Sequence, residues 1–190
     1  MPKVVDHDER RQEILAQCFD LFAVHGYGAM TMRKLAAAMG VSTGTLYHYF
    51  DGKPALFEAM FRWLRDRDIR AATEGIPEDA SQAERLARLG VFLQNHESEL
   101  RKAVRVALDY QRQQSDADSR RFLVETLGEY RRALRDQLGL EEHPQLTTVL
   151  LSFILGMSVQ GILDPDAVHV EHHLTVLALA AQAVAGVEPV

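Results

Sequence analysis

The sequence predicts an all-α protein of about nine helices, with an N-terminal three-helix head on a larger helical body. Three observations carry that prediction. Apolar residues recur at three- and four-residue spacing, which lines one face of a helix. Start and stop signals for short helices alternate through the first fifty residues at Gly26, Thr31, Gly40 and Ser42. No run of alternating β-branched residues bounded by turns occurs, so no sheet is expected.

The first helix carries Ile14, Leu15, Cys18, Phe19 and Phe22 on one face and ends near His25–Gly26, where glycine can adopt the left-handed cap conformation. Thr31 offers a side-chain oxygen to start a second helix, Met32 to Met39. Gly40 stops it, and Ser42 caps a short third helix that runs to about Tyr49. Asp51-Gly52-Lys53-Pro54 is a turn whose proline is tolerated in a first helical turn. The fourth helix follows, with Leu56, Phe57, Met60, Phe61 and Leu64 apolar. Gly75-Ile76-Pro77 breaks the chain. Further helices are expected over 82–95, 97–113, 119–138, 144–163 and 167–187, the last two separated by Pro165. The organisation is then a head, 1–54, and a body, 55–190.

Composition fits a folded, soluble chain: of 190 residues, 47% are apolar and 25% charged. A single cysteine, Cys18, lies on an apolar stripe and reads as a core residue in a reducing compartment. The first thirty residues are rich in charge and hold no apolar secretory core, so a cytoplasmic location is expected. The stretch from Leu146 to Leu163 is about long enough to span a bilayer. Its threonines, serines, glycines and Gln160 suit a helix buried in a protein interior better, and no membrane partner is expected. The net charge of −6 at first argues against a polyanionic partner. Its distribution says otherwise: residues 1–54 hold six basic and six acidic residues, and the body holds the whole excess. Any contact with nucleic acid must therefore be made by the head.

The segment Thr31 to Lys53 carries the function. Leu35, Ala36 and Met39 face inward from one short helix, and Val41, Leu46 and Phe50 from the next. Ala36, Ala37 and Ala38 are small enough for close crossing, and Gly40 permits a sharp turn. That geometry leaves one face of the second helix free to enter a major groove. Ser42, Thr43, Gly44, Thr45, Tyr47, His48 and Tyr49 occupy it, without a carboxylate. Threonine can hydrogen-bond a base edge or touch a thymine methyl, while hydroxyls and Lys53 are groups that hold phosphates. Tyr27 reads as a structural aromatic; Tyr47 does not, because Leu46 and Phe50 already supply the core.

Residues 10–57 resemble the DNA-binding domain of the TetR family of repressors. The resemblance rests on Gly26-Tyr27, Thr31, Leu35-Ala36, Gly40-Val41-Ser42, Gly44-Thr45-Leu46-Tyr47, Tyr49-Phe50, Lys53 and Leu56. It implies that Thr31, Ser42, Tyr49 and Lys53 contact phosphates, and that Arg33, Thr43, Thr45, Tyr47 and His48 lie at or near base edges. It also implies an all-α body that encloses an effector pocket, and a homodimer made by the last two helices. An apolar or aromatic small molecule would then be seated among Phe92, Tyr110, Phe122, Tyr130 and Phe153, oriented by Gln160 and Ser158. The expected protein is a transcription repressor released from operator DNA by that effector. A helical protein-interaction module and an effector-independent regulator are the alternatives.

Other constellations carry less. His169, His172 and His173 share a helix face, but with only Glu171 nearby they make an incomplete metal site. Arg105 and Asp109 have the spacing of an ion pair on a wet helix face. No nucleophile elbow, phosphate-binding glycine loop or cysteine pair is present, so neither an enzyme nor a cofactor is expected.

Overall fold

Seven helices are placed in the computed structural model, which describes residues 7–114, 116–164, 166, 168–173 and 175. They are α1 (His7–His25), α2 (Met32–Ala38), α3 (Thr43–Tyr49), α4 (Lys53–Thr73), α5 (Gln82–Gln113), α6 (Ala117–Leu138) and α7 (Pro144–Leu163). A further helical stretch begins at Val170, and no strand occurs among the described residues. Most of the helix expected over 167–187 lies outside them. The two helices expected over 82–95 and 97–113 are one. Neither glycine nor proline interrupts the polar run Gln94 to Ser98, and Leu93 and Leu100 carry the apolar stripe across it.

The packing divides the chain into two compact units. One comprises the residues up to Arg70 with Arg105–Tyr130; the other comprises Ala71–Val104 with the residues from Arg131 on. Helices α4, α5 and α6 each contribute to both.

The core of the first unit is aromatic. Phe57 of α4 lies flat on Tyr110 of α5, with ring centroids 3.8 Å apart and planes 11° apart. Tyr27 stands edge-on to both, at 5.1 Å and 4.9 Å, and Phe22 closes on Tyr27 at 5.5 Å. Phe61 stacks one turn along α4 from Phe57, at 4.7 Å. The edge contacts of Tyr27 suit the ring quadrupole, and the flat Phe57–Tyr110 stack adds close dispersion contact. Around it pack Ile14, Leu15, Cys18, Leu35, Leu46, Leu56, Met60 and Leu64, all nearly without solvent contact. Burial pushes the Cys18 thiol up to about 12. The Tyr110 hydroxyl reaches Ser119, which with Asp116 opens α6. Asp116 accepts from the Asp118 and Ser119 amides, and these bonds hold its carboxyl below the usual range, the Ser119 amide foremost.

In the second unit, Ser81 and Glu84 form a reciprocal cap at the start of α5: the Ser81 amide donates to Glu84 and the Glu84 amide to the Ser81 hydroxyl. Arg85 ties the segment before α5 to the end of α6 by donating to the carbonyls of Ala80, Glu78 and Gln137. Gly161 of α7 lets α5 approach closely, because a Cβ there would sit 2.8 Å from Arg101 Cδ. Helix α7 departs from the expectation of a buried helix. Thr147, Leu151, Met157, Ser158 and Gly161 are buried, whereas Leu146, Val149, Val159 and Leu163 are exposed. It is long and apolar enough to cross a membrane by length and composition.

The aromatic cluster makes a stability prediction. Replacing Phe57 with alanine removes both the stack on Tyr110 and the edge contact with Tyr27, and should cost about 3–5 kcal/mol. Urea unfolding followed by circular dichroism should show the midpoint falling accordingly; a variant as stable as the parent would remove the cluster from its central place.

Candidate nucleic-acid interface

Helices α2 and α3 are each only seven residues long, too short to be stable alone, so their ends are held by side chains and by the turn between them. Thr31 caps α2, its Oγ1 accepting from the Lys34 amide at 3.2 Å. Ser42 caps α3, its Oγ accepting from the Thr45 amide at 2.9 Å and sharing a proton with Thr45 Oγ1 at 2.8 Å. Between them Gly40 has φ +67°, with its N–H donating to Ala37 and the Val41 N–H to Ala36. Both bonds together define the 6→1 and 5→2 closure of a left-handed helix stop. Nothing lies within 4 Å of a Cβ at Gly40, so glycine is needed there for its backbone and not for space.

The two helices pack through Leu35, Ala36 and Leu46, which are buried, with Met39 and Val41 half-buried and Phe50 buried just beyond α3. Of the three alanines expected to allow close crossing only Ala36 is buried; Ala37 and Ala38 face solvent. The opposite face of α3 carries Ser42, Gly44, Tyr47 and His48 exposed and Thr43, Thr45 and Tyr49 half-buried. Tyr47 leaves 55% of its surface in water, so its ring and hydroxyl are free to meet a partner. Thr31 and Arg33 of the preceding helix are exposed as well. No carboxylate occurs from Leu21 to Phe50, so this surface sets Arg33, Lys34 and His48 in water without an acid of its own.

Lys53 is more engaged than a phosphate-seeking lysine needs to be. Its ammonium donates to the carbonyls of Tyr27 and Met30, each at 2.9 Å, and lies 3.9 Å from the centre of the Tyr27 ring. Two of its three protons therefore hold the corner between α1 and α2. Burial pushes the amine below its usual range, against the opposing pull of Asp109. Sequence reasoning missed this clamp because its partners are backbone carbonyls, which no side-chain pattern announces. His7 was missed too. Its ring lies 4.6 Å from Tyr49 and 5.6 Å from His48, bringing the start of α1 against the end of α3.

Arg105 and Asp109 do not form the ion pair their spacing suggests. Asp109 pairs with Arg112 at 2.9 Å and accepts from the Tyr27 amide at 2.6 Å, while Arg105 donates to the Ala23 carbonyl at 3.0 Å.

The six residues expected around an effector divide between the units. Tyr110, Phe122 and Tyr130 belong to the first: Tyr110 is stacked on Phe57, Phe122 receives the Arg62 guanidinium on its face at 5.2 Å, and the Tyr130 hydroxyl donates to Asp68. Phe92, Phe153 and Gln160 belong to the second, where Phe92 is buried against His96, Phe153 is half-buried and Gln160 is exposed. The second unit also contains an apolar cleft lined by Leu93, Leu100, Ile154, Met157, Val168 and Val170, with Glu97 and Ser158 at its polar edge.

A capped pair of short helices crossing at a left-handed glycine, with the second presenting an acid-free polar and aromatic face, is a helix-turn-helix of the DNA-reading kind. Residues 14–60 match the model of the tetR family of bacterial regulatory proteins. The HTH-type transcriptional repressor AcnR of Corynebacterium efficiens is 30% identical over 181 residues, covering 82% of this chain and 94% of that one. The HTH-type transcriptional repressor Rv1474c of Mycobacterium tuberculosis is 45% identical over 79 residues, and there the match spans 42% of that protein's length. Among solved structures, the transcriptional regulator FadR from Bacillus subtilis in complex with stearoyl-CoA has the same fold, with a TM-score of 0.71 at 22% identity over 87% of this chain and 96% of that one. The chain belongs to the tetR family of bacterial regulatory proteins, DNA-binding transcriptional regulators.

The caps make the second prediction. Ser42→Ala removes the side-chain acceptor for the Thr45 amide, leaving the Ser42 carbonyl at 3.0 Å, and should cost about 1 kcal/mol. The loss should appear as a lowered urea midpoint and as faster hydrogen exchange at Thr45. An unchanged exchange rate there would mean that Ser42 does not hold the start of α3.

Proposed function

We propose that the chain is a cytoplasmic homodimeric repressor whose residues 1–54 bind operator DNA and whose residues 55–190 dimerise and bind a small-molecule effector that releases it. The observation that carries the DNA-reading part is the exposed, acid-free face of α3 with Tyr47 unburied at its centre. On this reading Thr43, Gly44, Thr45, Tyr47 and His48, with Arg33, meet base edges, and Thr31, Ser42, Tyr49 and the third proton of Lys53 meet phosphates. Repression is supported by the relatives AcnR and Rv1474c, both transcriptional repressors.

Dimerisation is supported by α7. Four large apolar side chains on it face water in the single chain, and a second copy related by a two-fold axis would cover them with the same patch. The two reading helices would then meet half-sites about one helical turn of DNA apart, ~34–36 Å. The effector is apolar. The cleft between α5 and α7 offers mostly hydrocarbon, with Ser158 and Glu97 to orient a polar end. As it stands the cleft has room for about one water molecule, so a ligand must open it by moving the side chains that line it. An apolar effector is in keeping with FadR from Bacillus subtilis, a regulator of the same fold solved in complex with stearoyl-CoA.

Two measurements test the reading. A duplex enriched by the full-length chain from a random-sequence pool should bind far better than the pool itself. Tyr47→Ala should erase about 1–3 kcal/mol of that preference with the fold intact and leave the salt slope unchanged, whereas Lys53→Ala should weaken every duplex and lower the salt slope by about one unit per half-site, with some loss of preference because it also frees the Tyr27 and Met30 carbonyls. Equal effects of both substitutions on enriched and random DNA would overturn the assignment. For assembly, light scattering at micromolar concentration should give a dimer, and Val149→Arg with Val159→Arg should give a monomer. A parent chain that is monomeric there and still binds its duplex tightly would overturn the dimer.

A further inference from the structure

We propose that Asp109, a residue of α5 far from the helix-turn-helix in sequence, is a positioning residue for operator binding, because it fixes the corner from which α2 and α3 are hung. The inference rests on the DNA-binding role of the head.

The corner runs from the last turn of α1 to the cap of α2, residues 23–31. At its start Gly26 has φ +80°, so the chain leaves α1 by a left-handed step. The amides that follow have no helical partner, and Asp109 Oδ2 takes both, Tyr27 N–H at 2.6 Å and Gly28 N–H at 3.4 Å. One turn earlier on α5, Arg105 donates to the Ala23 carbonyl. Helix α5 therefore grips the corner by an acceptor and a donor four residues apart, each matched to a backbone group of opposite polarity. A grip of that kind fixes direction as well as distance. The fit is close: a Cβ on Gly26 would lie 3.1 Å from Asp109 Oδ2, and one on Gly28 would lie 2.8 Å from the Gln113 side chain. On the far side Lys53 holds the carbonyls of Tyr27 and Met30, one residue before the Thr31 cap. Helix α2 packs directly on α3, so a shift of the corner is a shift of Tyr47 and its neighbours.

The sign of the charge separates positioning from simple electrostatics. Removing a carboxylate from a head that binds a polyanion should by charge alone strengthen binding to every sequence. A loss confined to the preferred sequence can come only from misplacement.

The test uses full-length Asp109→Ala and Asp109→Asn beside the parent, well below the thermal midpoint of each and with helix content checked by circular dichroism. The probes are the duplex that the parent enriches from a random pool, and the unselected pool. Losing a bond to a charged acceptor should raise the dissociation constant of Asp109→Ala for the enriched duplex about tenfold. Its affinity for the pool should stay equal or rise. Asp109→Asn keeps an acceptor oxygen and should recover most of the preference. In the free protein, hydrogen exchange at Tyr27 and Gly28 should quicken in Asp109→Ala. An unchanged ratio of enriched to pool affinity in Asp109→Ala, or an Asp109→Asn as impaired as Asp109→Ala, would overturn the proposal. A parent that enriches no duplex would instead sink the DNA-binding role, and the exchange rates at Tyr27 and Gly28, which need no DNA, tell that failure from a failure of the grip.

Discussion

Phe57 on Tyr110 is the contact on which the head depends. A flat stack at 3.8 Å between a helix that starts in the head and one that arrives from later in the chain makes a platform, and Tyr27 stands on it edge-first. Several of the contacts that give α2 its direction converge on Tyr27: its ring on the platform and the Lys53 ammonium, its carbonyl on the same ammonium, its amide on Asp109. One residue thus collects dispersion, cation–π attraction and two backbone hydrogen bonds. The reading helices themselves bury Met32, Leu35, Ala36 and Leu46, a small apolar face for two seven-residue helices that are too short to stand alone.

The division between apolar platform and polar grip is physically sensible. Aromatic stacking is strong but tolerates small rotations, since offset geometries of similar energy are close together. Charge-assisted bonds to backbone amides are short and directional. The platform supplies stability to the corner and the carboxylate supplies its angle.

The head was legible in the sequence because its information is local. Thr31 and Ser42 cap the helices they precede, Gly40 takes the left-handed turn, and Leu46 falls on the buried face of a seven-residue helix. Each of those statements involves residues within a few positions of one another, where turn and cap chemistry operate. The role of Asp109 was not legible for the opposite reason: its partner amides lie 81 and 82 residues away, and a backbone N–H has no letter in a sequence. Helical spacing offered a nearer partner in Arg105, and Arg112 and the corner took its place. The body was misread where pattern is weak. Polar residues around His96 suggested a break, yet nothing there forbids a helix, and α5 runs through. The threonines, serines and glycines of α7 suggested a buried helix, yet Leu146, Val149, Val159 and Leu163 stay exposed, because such interruptions do not say which face finds a partner.

The cysteine at the base of the head has a practical corollary. Cys18 is wholly enclosed and its thiol is held far from ionisation, while the thiolate is the form that alkylates or oxidises. It is also the single cysteine of the sequence. Maleimides and disulfide reagents should therefore pass over the folded protein and mark only molecules whose head has opened. The rate of labelling is a built-in clock for that opening. A cysteine placed by design on the exposed face of α3 would take a fluorophore alone, without any need to remove the native one.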